Sequence, residues 1–233
     1  MKRILLLLAV SFLTFSVNAQ QKDWAKFGRF VEANKAVTES PDAVFMGNSI
    51  TEQWASFDPE FFSQNNFVGR GISGQTTSEM LVRMRQDVIG LKPKAVVIMA
   101  GINDIAMNNG YIALENIFGN IVSMCELAKA NDIKVILCSV TPCAQFRWRK
   151  ELEPAQPIRD LNQMIKEYAA ANKIAYVDYH SALTTPEGGM PEKWSKDGCH
   201  VNLECYRSVM EPLVCDAVNK VLKIKKNPRQ PMR

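Results

Sequence analysis

A serine, an aspartate and two histidines carry the chemistry that this sequence suggests. Ser49 lies within VFMGNSITEQW, residues 44–54, and follows an apolar run, which predicts a tight turn just past the end of a strand. His180 and His200 are the only two histidines in the chain. A serine hydroxyl becomes a nucleophile when a histidine takes its proton and a carboxylate holds that histidine in one tautomer. These residue types therefore suggest acyl transfer, provided that the fold brings the serine, a histidine and the aspartate together.

The DGCH stretch at residues 197–200 offers both partners that Ser49 would need. Asp197 lies three residues before His200, and on a turn or a first helical turn that spacing places two side chains on one side. We expect Asp197 to accept a hydrogen bond from one ring nitrogen of His200 while the other nitrogen faces Ser49. The structural alternative is a turn at Asp197-Gly198 that opens a helix and leaves His200 on the surface.

Two other pairings remain open at this point. His180 follows a predicted strand within VDYH and could act as the base with Asp178, although neighbours two apart on a strand share a face without a good bond angle. Cys199 adjoins His200 and could be taken for a nucleophile, but a nucleophile and its base must meet in space, not in sequence.

Acyl transfer also needs hydrogen-bond donors for the oxyanion of the tetrahedral intermediate. The candidates are the backbone NH of Ser49, the backbone NH of Gly71 in GRGISG and the side-chain amide of Asn103 in GIND. A glycine at 71 would let the chain approach a substrate closely. Taken separately, Gly71 also suits an ordinary turn, and Asn103 suits a helix cap.

The elements that must position these residues alternate along the chain. Strands are predicted at residues 43–46, 67–68, 95–99, 134–138 and 175–177, with helical segments between them. This alternation predicts an α/β fold, a three-layer α/β/α sandwich with a five-stranded parallel sheet. Right-handed crossovers bring the carboxyl ends of the strands to one edge, where the loops after the first three strands meet. Residues 24–37 have near-helical apolar spacing, which predicts a first helix packed on the sheet.

The amino-terminal residues have the layout of a secretory signal peptide. Lys2-Arg3 precede an apolar run at residues 4–15, and small residues follow up to Ala19. The apolar run is short for a transmembrane helix, so we expect cleavage near Ala19, export to the periplasm or the extracellular space, and no stable membrane insertion; a retained anchor is the alternative. No cysteine precedes Cys125, so the lipid-modified cysteine of a bacterial lipoprotein is absent. Residues 20–233 are predicted to form one domain.

The charge balance and the cysteine spacing limit which classes of binding partner we expect. With 28 basic and 24 acidic residues, the chain has no charge excess that would favour nucleic acid or an anionic membrane. Six cysteines in an exported chain could form disulfides, of which we expect at most one or two, and their spacing lacks the CxxC pairs of a zinc site. We expect no nucleic-acid partner and no metal.

The four blocks together resemble, in order, those of the SGNH hydrolases, also called GDSL-type esterases and lipases. The first block, GDS and an aliphatic residue, matches residues 47–50; the second-block glycine matches Gly71; GxND matches residues 101–104; and DxxH matches residues 197–200. The resemblance covers essentially the whole chain after the signal peptide. Asn48 departs from it, because the family residue there is most commonly Asp, and we expect activity to survive this change.

The resemblance implies a flavodoxin-like SGNH hydrolase fold and a role for each matched residue. It implies that Ser49 is the nucleophile, His200 the general base and acid, and Asp197 its orienter. It implies that Ser49, Gly71 and Asn103 supply the oxyanion hole. It also implies that no metal or other cofactor is needed.

The substrate is suggested by aromatic residues and by the nearer members that the chain resembles. Trp54, Trp148 and Arg147 lie in or near the predicted edge loops, where flat rings could stack on sugars or, alternatively, be buried. The chain is similar to small bacterial acetylhydrolases and carbohydrate esterases, whose later loop often carries a segment like residues 146–149. With export, this favours a serine esterase that hydrolyses short acyl esters, acetyl esters first, on carbohydrate.

Other functions remain as alternatives. A lysophospholipase or thioesterase that acts on lipid acyl groups could use the same site. A phosphate binder could use GRGISGQTTSEM, where glycines and hydroxyls precede a helix, although the GK[ST] ending of a P-loop is missing. A carbohydrate-binding protein without catalysis is the last alternative, against which the four blocks argue.

Overall fold

The computed structural model describes residues 23–224, so the predicted signal peptide lies outside the described part of the chain. The sheet is five-stranded and its strand pairs are parallel throughout. The strands are β1 Ala43–Gly47, β2 Phe67–Gly71, β3 Ala95–Ile98, β4 Lys134–Cys138 and β5 Ala175–Val177, in the order β2-β1-β3-β4-β5. This confirms the predicted α/β fold with a five-stranded parallel sheet.

Helices connect the strands and cover the sheet. Within residues 23–224 they are α1 Val31–Lys35, α2 Ser49–Phe57, α3 Pro59–Gln64, α4 Thr77–Asp87, α5 Ile102–Ile105, α6 Leu114–Lys129, α7 Ala155–Ala171, α8 Tyr179–Leu183, α9 Leu203–Cys205 and α10 Glu211–Leu222. Two short 3-10 turns lie at Phe27–Phe30 and Ile89–Leu91, and a π-helical segment at Tyr206–Met210 joins α9 to α10. In this described part, no helix is long and apolar enough to cross a membrane.

The strands are apolar on both faces because each face is covered by helices. Val44 and Met46 of β1 pack into a cluster with residues of α4, α6 and α7, whereas Phe45 between them packs into a second cluster with residues of α2, α3 and α10. Successive strand residues point to opposite faces, so a strand buried on both sides is apolar without alternation. The three layers that the sequence predicts are therefore the two helical layers and the sheet between them.

The predicted first helix over residues 24–37 is wrong in extent and in packing. The chain there forms the 3-10 turn at Phe27–Phe30 and the short helix α1, neither of which has a buried residue. Trp24 remains 56% exposed. Polar and cationic contacts hold this segment instead: the Asp23 carboxylate accepts from the backbone NH of Gly28 at 2.7 Å, and the Arg70 guanidinium stands over the Phe30 ring.

The cysteines serve the core. Five of them are buried and outside any disulfide, namely those at positions 125, 138, 143, 199 and 205. A thiol in such surroundings behaves as a small apolar side chain. Cys125 on α6 packs into one of the two apolar clusters, and Cys138 on β4 packs into the other.

Candidate active site

Ser49 lies where β1 passes into α2. β1 ends at Gly47, Asn48 caps the helix, and Ser49 is the first helical residue. The Asn48 side-chain oxygen accepts from the backbone NH of Ile50 at 3.0 Å, so this amide meets one of the unsatisfied donors of the helix amino terminus. The amide at position 48 therefore makes a capping hydrogen bond in the turn that carries Ser49.

The structure brings Ser49, His200 and Asp197 into one hydrogen-bonded line. Ser49 Oγ lies 2.9 Å from His200 Nε2, and His200 Nδ1 lies 2.7 Å from Asp197 Oδ2. Because an ionised carboxylate only accepts, Nδ1 carries the proton toward Asp197, which leaves Nε2 of the neutral ring as the acceptor for the serine hydroxyl. This is the arrangement in which an imidazole can take a proton from a serine.

The Asp197 carboxylate is held ionised by its own loop. Partial burial opposes ionisation, but hydrogen bonds from the backbone NH groups of His200 and Cys199 and from the His200 ring lower the pKa of Asp197 to about 2. Both NH groups reach Oδ1, at 2.8 and 2.9 Å, and the Ser195 hydroxyl donates to the same oxygen at 3.2 Å. Oδ2 is thereby left for His200, which fixes the direction of the ring.

The two alternative pairings are not formed. The Asp178 carboxylate caps α8, where it accepts from the backbone NH and the hydroxyl of Ser181 at 2.9 and 2.8 Å. Among the described residues, His180 Nε2 is buried without a hydrogen-bond partner. The Cys199 side chain is 3% exposed, and its hydrogen bond with Cys143 and its burial raise the pKa of the thiol. A thiol in this state is a poor nucleophile.

Asn103 lies on α5, just after β3, and its amide is held from one side. Asn103 Nδ2 donates to the backbone oxygen of Gln75 at 2.9 Å, and the residue is 5% exposed. An amide nitrogen carries two hydrogens, and this hydrogen bond uses one of them. Gln75, which sequence reasoning missed, follows GRGISG and has no motif of its own; only the fold reveals its contact with Asn103.

Asp104, next to Asn103, fastens the neighbouring helix. Its carboxylate accepts from the backbone NH of Thr77 at 2.9 Å and from the Thr77 hydroxyl at 2.6 Å, at the start of α4. Burial raises the pKa of Asp104 to about 6, despite these hydrogen bonds. The two polar side chains of GIND thus make different contacts: Asn103 donates to Gln75, and Asp104 joins α5 to α4.

Gly71 ends β2 directly beside the Ser49 turn. It is paired with Gly47 in the sheet, and a Cβ at position 71 would lie 2.2 Å from the backbone nitrogen of Glu52 and 2.6 Å from the backbone oxygen of Asn48. The need for glycine therefore comes from close packing against the first turn of α2. This differs from the expected reason, which was the approach of a substrate.

Trp148 and Arg147 lie at the mouth of the site. The Trp148 ring centroid is 6.2 Å from that of His200, and the side chain is 45% exposed. The Arg147 guanidinium donates to the backbone oxygen of Lys196, which joins the loop after β4 to the loop that carries Asp197. An exposed flat ring beside His200 is available for contact with a ligand.

The prediction that Trp54 binds substrate is wrong. Trp54 is 1% exposed, and its ring is stacked between Phe61 and Tyr206 at centroid distances of 5.3 and 5.0 Å. Its indole nitrogen donates to Glu211 at 3.1 Å, so the polar end is also satisfied internally. The signal was present in the sequence: Ile50 and Trp54 are four residues apart on α2 and share the face that packs on the sheet.

No metal site is apparent in residues 23–224, where no group of three or more His, Cys, Asp or Glu side chains is placed to hold an ion.

Comparison with known proteins gives the family. The model of the GDSL-like Lipase/Acylhydrolase family matches residues 45–207. The structure is similar to that of a putative acylhydrolase from Bacteroides fragilis, with 47% identity over 87% of this chain and 100% of that one and a TM-score of 0.84. It is also similar to a GDSL-like lipase from Bacteroides thetaiotaomicron, with 46% identity, 84% and 98% coverage and a TM-score of 0.81.

More distant relatives agree in fold or in part of the sequence. Solved structures below 25% identity, among them two acetylxylan esterases, share the fold. An uncharacterized lipoprotein of Bacillus subtilis is 25% identical over 152 residues, which are 64% of this chain and 54% of the relative, so the chain spans about half the length of that curated protein. The family match covers the site from the Ser49 turn to the DGCH loop, and the chain therefore belongs to the GDSL-like lipase/acylhydrolase family.

Proposed function

We propose that this protein is a serine esterase that removes short acyl groups, acetyl first, from carbohydrate. Membership of the GDSL-like family supports ester hydrolysis in general. The single observation that carries the catalytic assignment is the continuous line from Ser49 Oγ through the His200 ring to the Asp197 carboxylate, with distances of 2.9 and 2.7 Å.

In the first half of the proposed reaction, Ser49 Oγ attacks the carbonyl carbon of the ester and His200 Nε2 takes the hydroxyl proton. The ionised Asp197 stabilises the imidazolium that forms. The carbonyl oxygen becomes an oxyanion, for which the backbone NH of Ser49, the backbone NH of Gly71 and the free amide hydrogen of Asn103 are the proposed donors. When the intermediate collapses, His200 returns the proton to the alcohol oxygen, which leaves.

In the second half, the same groups act on water. His200 Nε2 takes a proton from a water molecule as its oxygen attacks the acyl-serine carbonyl, and the oxyanion again meets the same donors. Collapse breaks the bond to Ser49 Oγ, which regains its proton from His200, and releases the carboxylic acid. One base therefore suffices for both halves.

The carbohydrate part of the proposal rests on the mouth of the site. Trp148 offers an exposed ring beside His200, which is where the alcohol portion of an ester would lie as it receives its proton. Arg147 is exposed next to it. A sugar presents both CH faces for a ring and hydroxyls for a guanidinium, so the two side chains together suit a sugar as the alcohol portion of the ester.

Export is proposed as well. The basic, apolar and small-residue order of residues 1–19 supports a signal peptide, and the similarity to a Bacillus subtilis lipoprotein points the same way. Periplasmic or extracellular acylated polysaccharide is then the accessible substrate.

The test is a panel of acyl chain lengths and alcohols, assayed on the wild type and on Ser49→Ala. We expect the highest kcat/KM for acetyl esters, release of acetate from acetylated xylo-oligosaccharides, and loss of both activities in Ser49→Ala with unchanged thermal unfolding. Faster cleavage of octanoyl than of acetyl esters, or of lysophospholipid or acyl thioesters, would replace the carbohydrate assignment with the lipid one. Ester cleavage that survives in Ser49→Ala would refute the serine mechanism.

A further inference from the structure

Arg83 lies beneath the proposed site, although no sequence block contains it. It is on α4, its side chain is 0% exposed, and its guanidinium makes hydrogen bonds in three directions. Nε donates to Gln75 Oε1 at 2.6 Å, Nη1 to Asp87 Oδ2 at 3.1 Å and Nη2 to the backbone oxygen of Gly47 at 3.1 Å. The planar fork of arginine suits acceptors fixed in one plane, whereas lysine offers one compact charge.

The first acceptor belongs to the nucleophile turn. Gly47 is the last residue of β1, two residues before Ser49, and its backbone oxygen also accepts from the backbone NH of Ile72 at 3.2 Å. The oxygen is therefore held by Arg83 and by the residue that follows Gly71. A shift of Arg83 would release one of the two hydrogen bonds that set the exit of β1.

The second acceptor belongs to the residue that holds the amide. Gln75 is 1% exposed, its side chain accepts from Arg83 and donates to the backbone oxygen of Ala25 at 2.8 Å, and its own backbone oxygen accepts from Asn103 Nδ2. Two side-chain hydrogen bonds thus fix Gln75. Through Gln75, the guanidinium is linked to the direction of the Asn103 amide.

The third acceptor is the counter-ion. Arg83 and Asp87 form an ion pair four residues apart on α4, with side-chain exposures of 0% and 1%. The other Asp87 oxygen accepts from Asn34 at 2.9 Å. A buried ion pair gains little stability over apolar residues of similar volume, because desolvation offsets the attraction. Stability alone therefore gives no reason for a buried guanidinium at this place.

We propose that Arg83 is a positioning residue of the esterase site, which holds the Ser49 turn and the Asn103 amide at the mutual distance that the tetrahedral intermediate requires. The inference rests on the proposed function. Arg83 touches neither substrate nor reacting atoms. It acts through Gly47 on one side and through Gln75 and Asn103 on the other.

The test uses three variants of the full chain. Arg83→Lys keeps a buried positive charge for Asp87 but cannot bond all three acceptors, and the double variant Arg83→Met/Asp87→Leu removes the pair without an unpaired charge. Arg85→Met is the matched control, because Arg85 lies on the same helix and is exposed. With 4-nitrophenyl acetate, we expect kcat to fall about 10- to 100-fold in the first two, the scale for a small misplacement, with KM within about threefold. Arg85→Met should match the wild type.

Coupling to Asn103 separates positioning from general stability. In the Asn103→Ala background the route through Gln75 no longer reaches an amide, whereas the hydrogen bond to Gly47 remains, so Arg83→Lys should still lower kcat but by a clearly smaller factor than in the wild-type background. A merely structural role would multiply the two losses in full and make kcat follow the folded fraction measured by thermal unfolding. Full multiplication, or unchanged kcat in both Arg83 variants, overturns the inference.

The same measurements separate a failure of the Arg83 inference from a failure of the proposed function. An inactive wild type, or activity that persists in Ser49→Ala, would refute the esterase and the Arg83 inference with it. A wild type whose activity depends on Ser49 but is indifferent to Arg83 would leave the esterase in place and refute only the positioning role.

Discussion

Replacement of Asn103 by alanine should separate a catalytic loss from a stability loss. The amide makes one hydrogen bond inside the protein, to the Gln75 oxygen at 2.9 Å, and its second hydrogen is the proposed oxyanion donor. Loss of one such donor lowers kcat by about 10²- to 10³-fold, or about 2.7 to 4 kcal/mol of transition-state stabilisation. Because the oxyanion exists only in the transition state, KM should change little.

The stability loss comes from the other hydrogen. Gln75 is 1% exposed, so its backbone oxygen would lose a buried donor, at about 1 to 3 kcal/mol. For a chain of this size, that lowers the Tm by roughly 2 to 12 °C. Asn103→Asp is the matched variant, because it keeps the shape, removes both donors and adds a charge of the same sign as the oxyanion; its kcat should fall at least as far.

The assay is steady-state hydrolysis of 4-nitrophenyl acetate beside thermal unfolding of each variant, at a temperature where all are folded. If Asn103→Ala keeps kcat within tenfold of the wild type while Ser49→Ala is inactive, the oxyanion is stabilised by other groups. If KM rises and kcat does not fall, the amide binds the ground state. Either result refutes the role that we propose for Asn103.

Three further predictions follow from the same contacts. Asp197→Asn should lower kcat by roughly 10³- to 10⁴-fold with folding intact, because an amide does not hold the His200 tautomer as an ionised carboxylate does; a plot of kcat against pH for both proteins checks this, and a loss below tenfold contradicts it. Trp148→Ala should raise KM for acetylated oligosaccharide several-fold without loss of Tm, because the ring is exposed. Trp54→Ala should instead cost about 3 to 5 kcal/mol of unfolding free energy, because the ring is buried. If the two variants change KM and unfolding free energy to the same extent, the assignment of these two rings is refuted. Burial raises the pKa of Asp104 to about 6, so the folded state binds the proton more tightly than the unfolded state does. The contribution of Asp104 to stability is therefore full below about pH 4 and is lost as the pH rises through 6. In urea unfolding, the wild type should lose about 1 to 3 kcal/mol of unfolding free energy relative to Asp104→Asn between pH 4 and pH 7, and a constant difference between the two proteins would contradict burial as the cause.

The fold could be predicted because its information is local. AVVIM at residues 95–99 is apolar on both faces, and such runs alternate with helical spacing, which is sufficient for a parallel sheet between helices. The Asp197 and His200 pair was also local, since both side chains come from one short loop. The Ser49 contact with His200 was predictable only through the topology, which sends successive strand ends to one edge.

The errors and the features that the sequence did not indicate have a common physical cause, which is that burial is decided by distant parts of the chain. Trp54 follows the Ser49 turn closely in sequence, but α2 turns its ring inward onto Phe61 and Tyr206. The spacing of Arg83 and Asp87 is that of an ordinary exposed ion pair on a helix, and only tertiary packing buries it. Gly71 needs to be glycine because of α2, a neighbour that its own motif does not contain.

The strand order explains why the proposed oxyanion donors lie on both sides of the proposed nucleophile. β1 pairs with β2 on one side and with β3 on the other, so the turn that carries Ser49 is flanked by the end of β2 at Gly71 and by the loop after β3 at Asn103. The chain leaves β1 for β2 and later returns past it to β3, and an open sheet forms its binding crevice at such a reversal. Arg83 lies on α4, in the crossover between β2 and β3. It contacts the end of β1 at Gly47 and, through Gln75, the Asn103 amide, so this crossover holds both sides of the crevice in place. A substitution in that crossover should therefore alter turnover without touching the substrate.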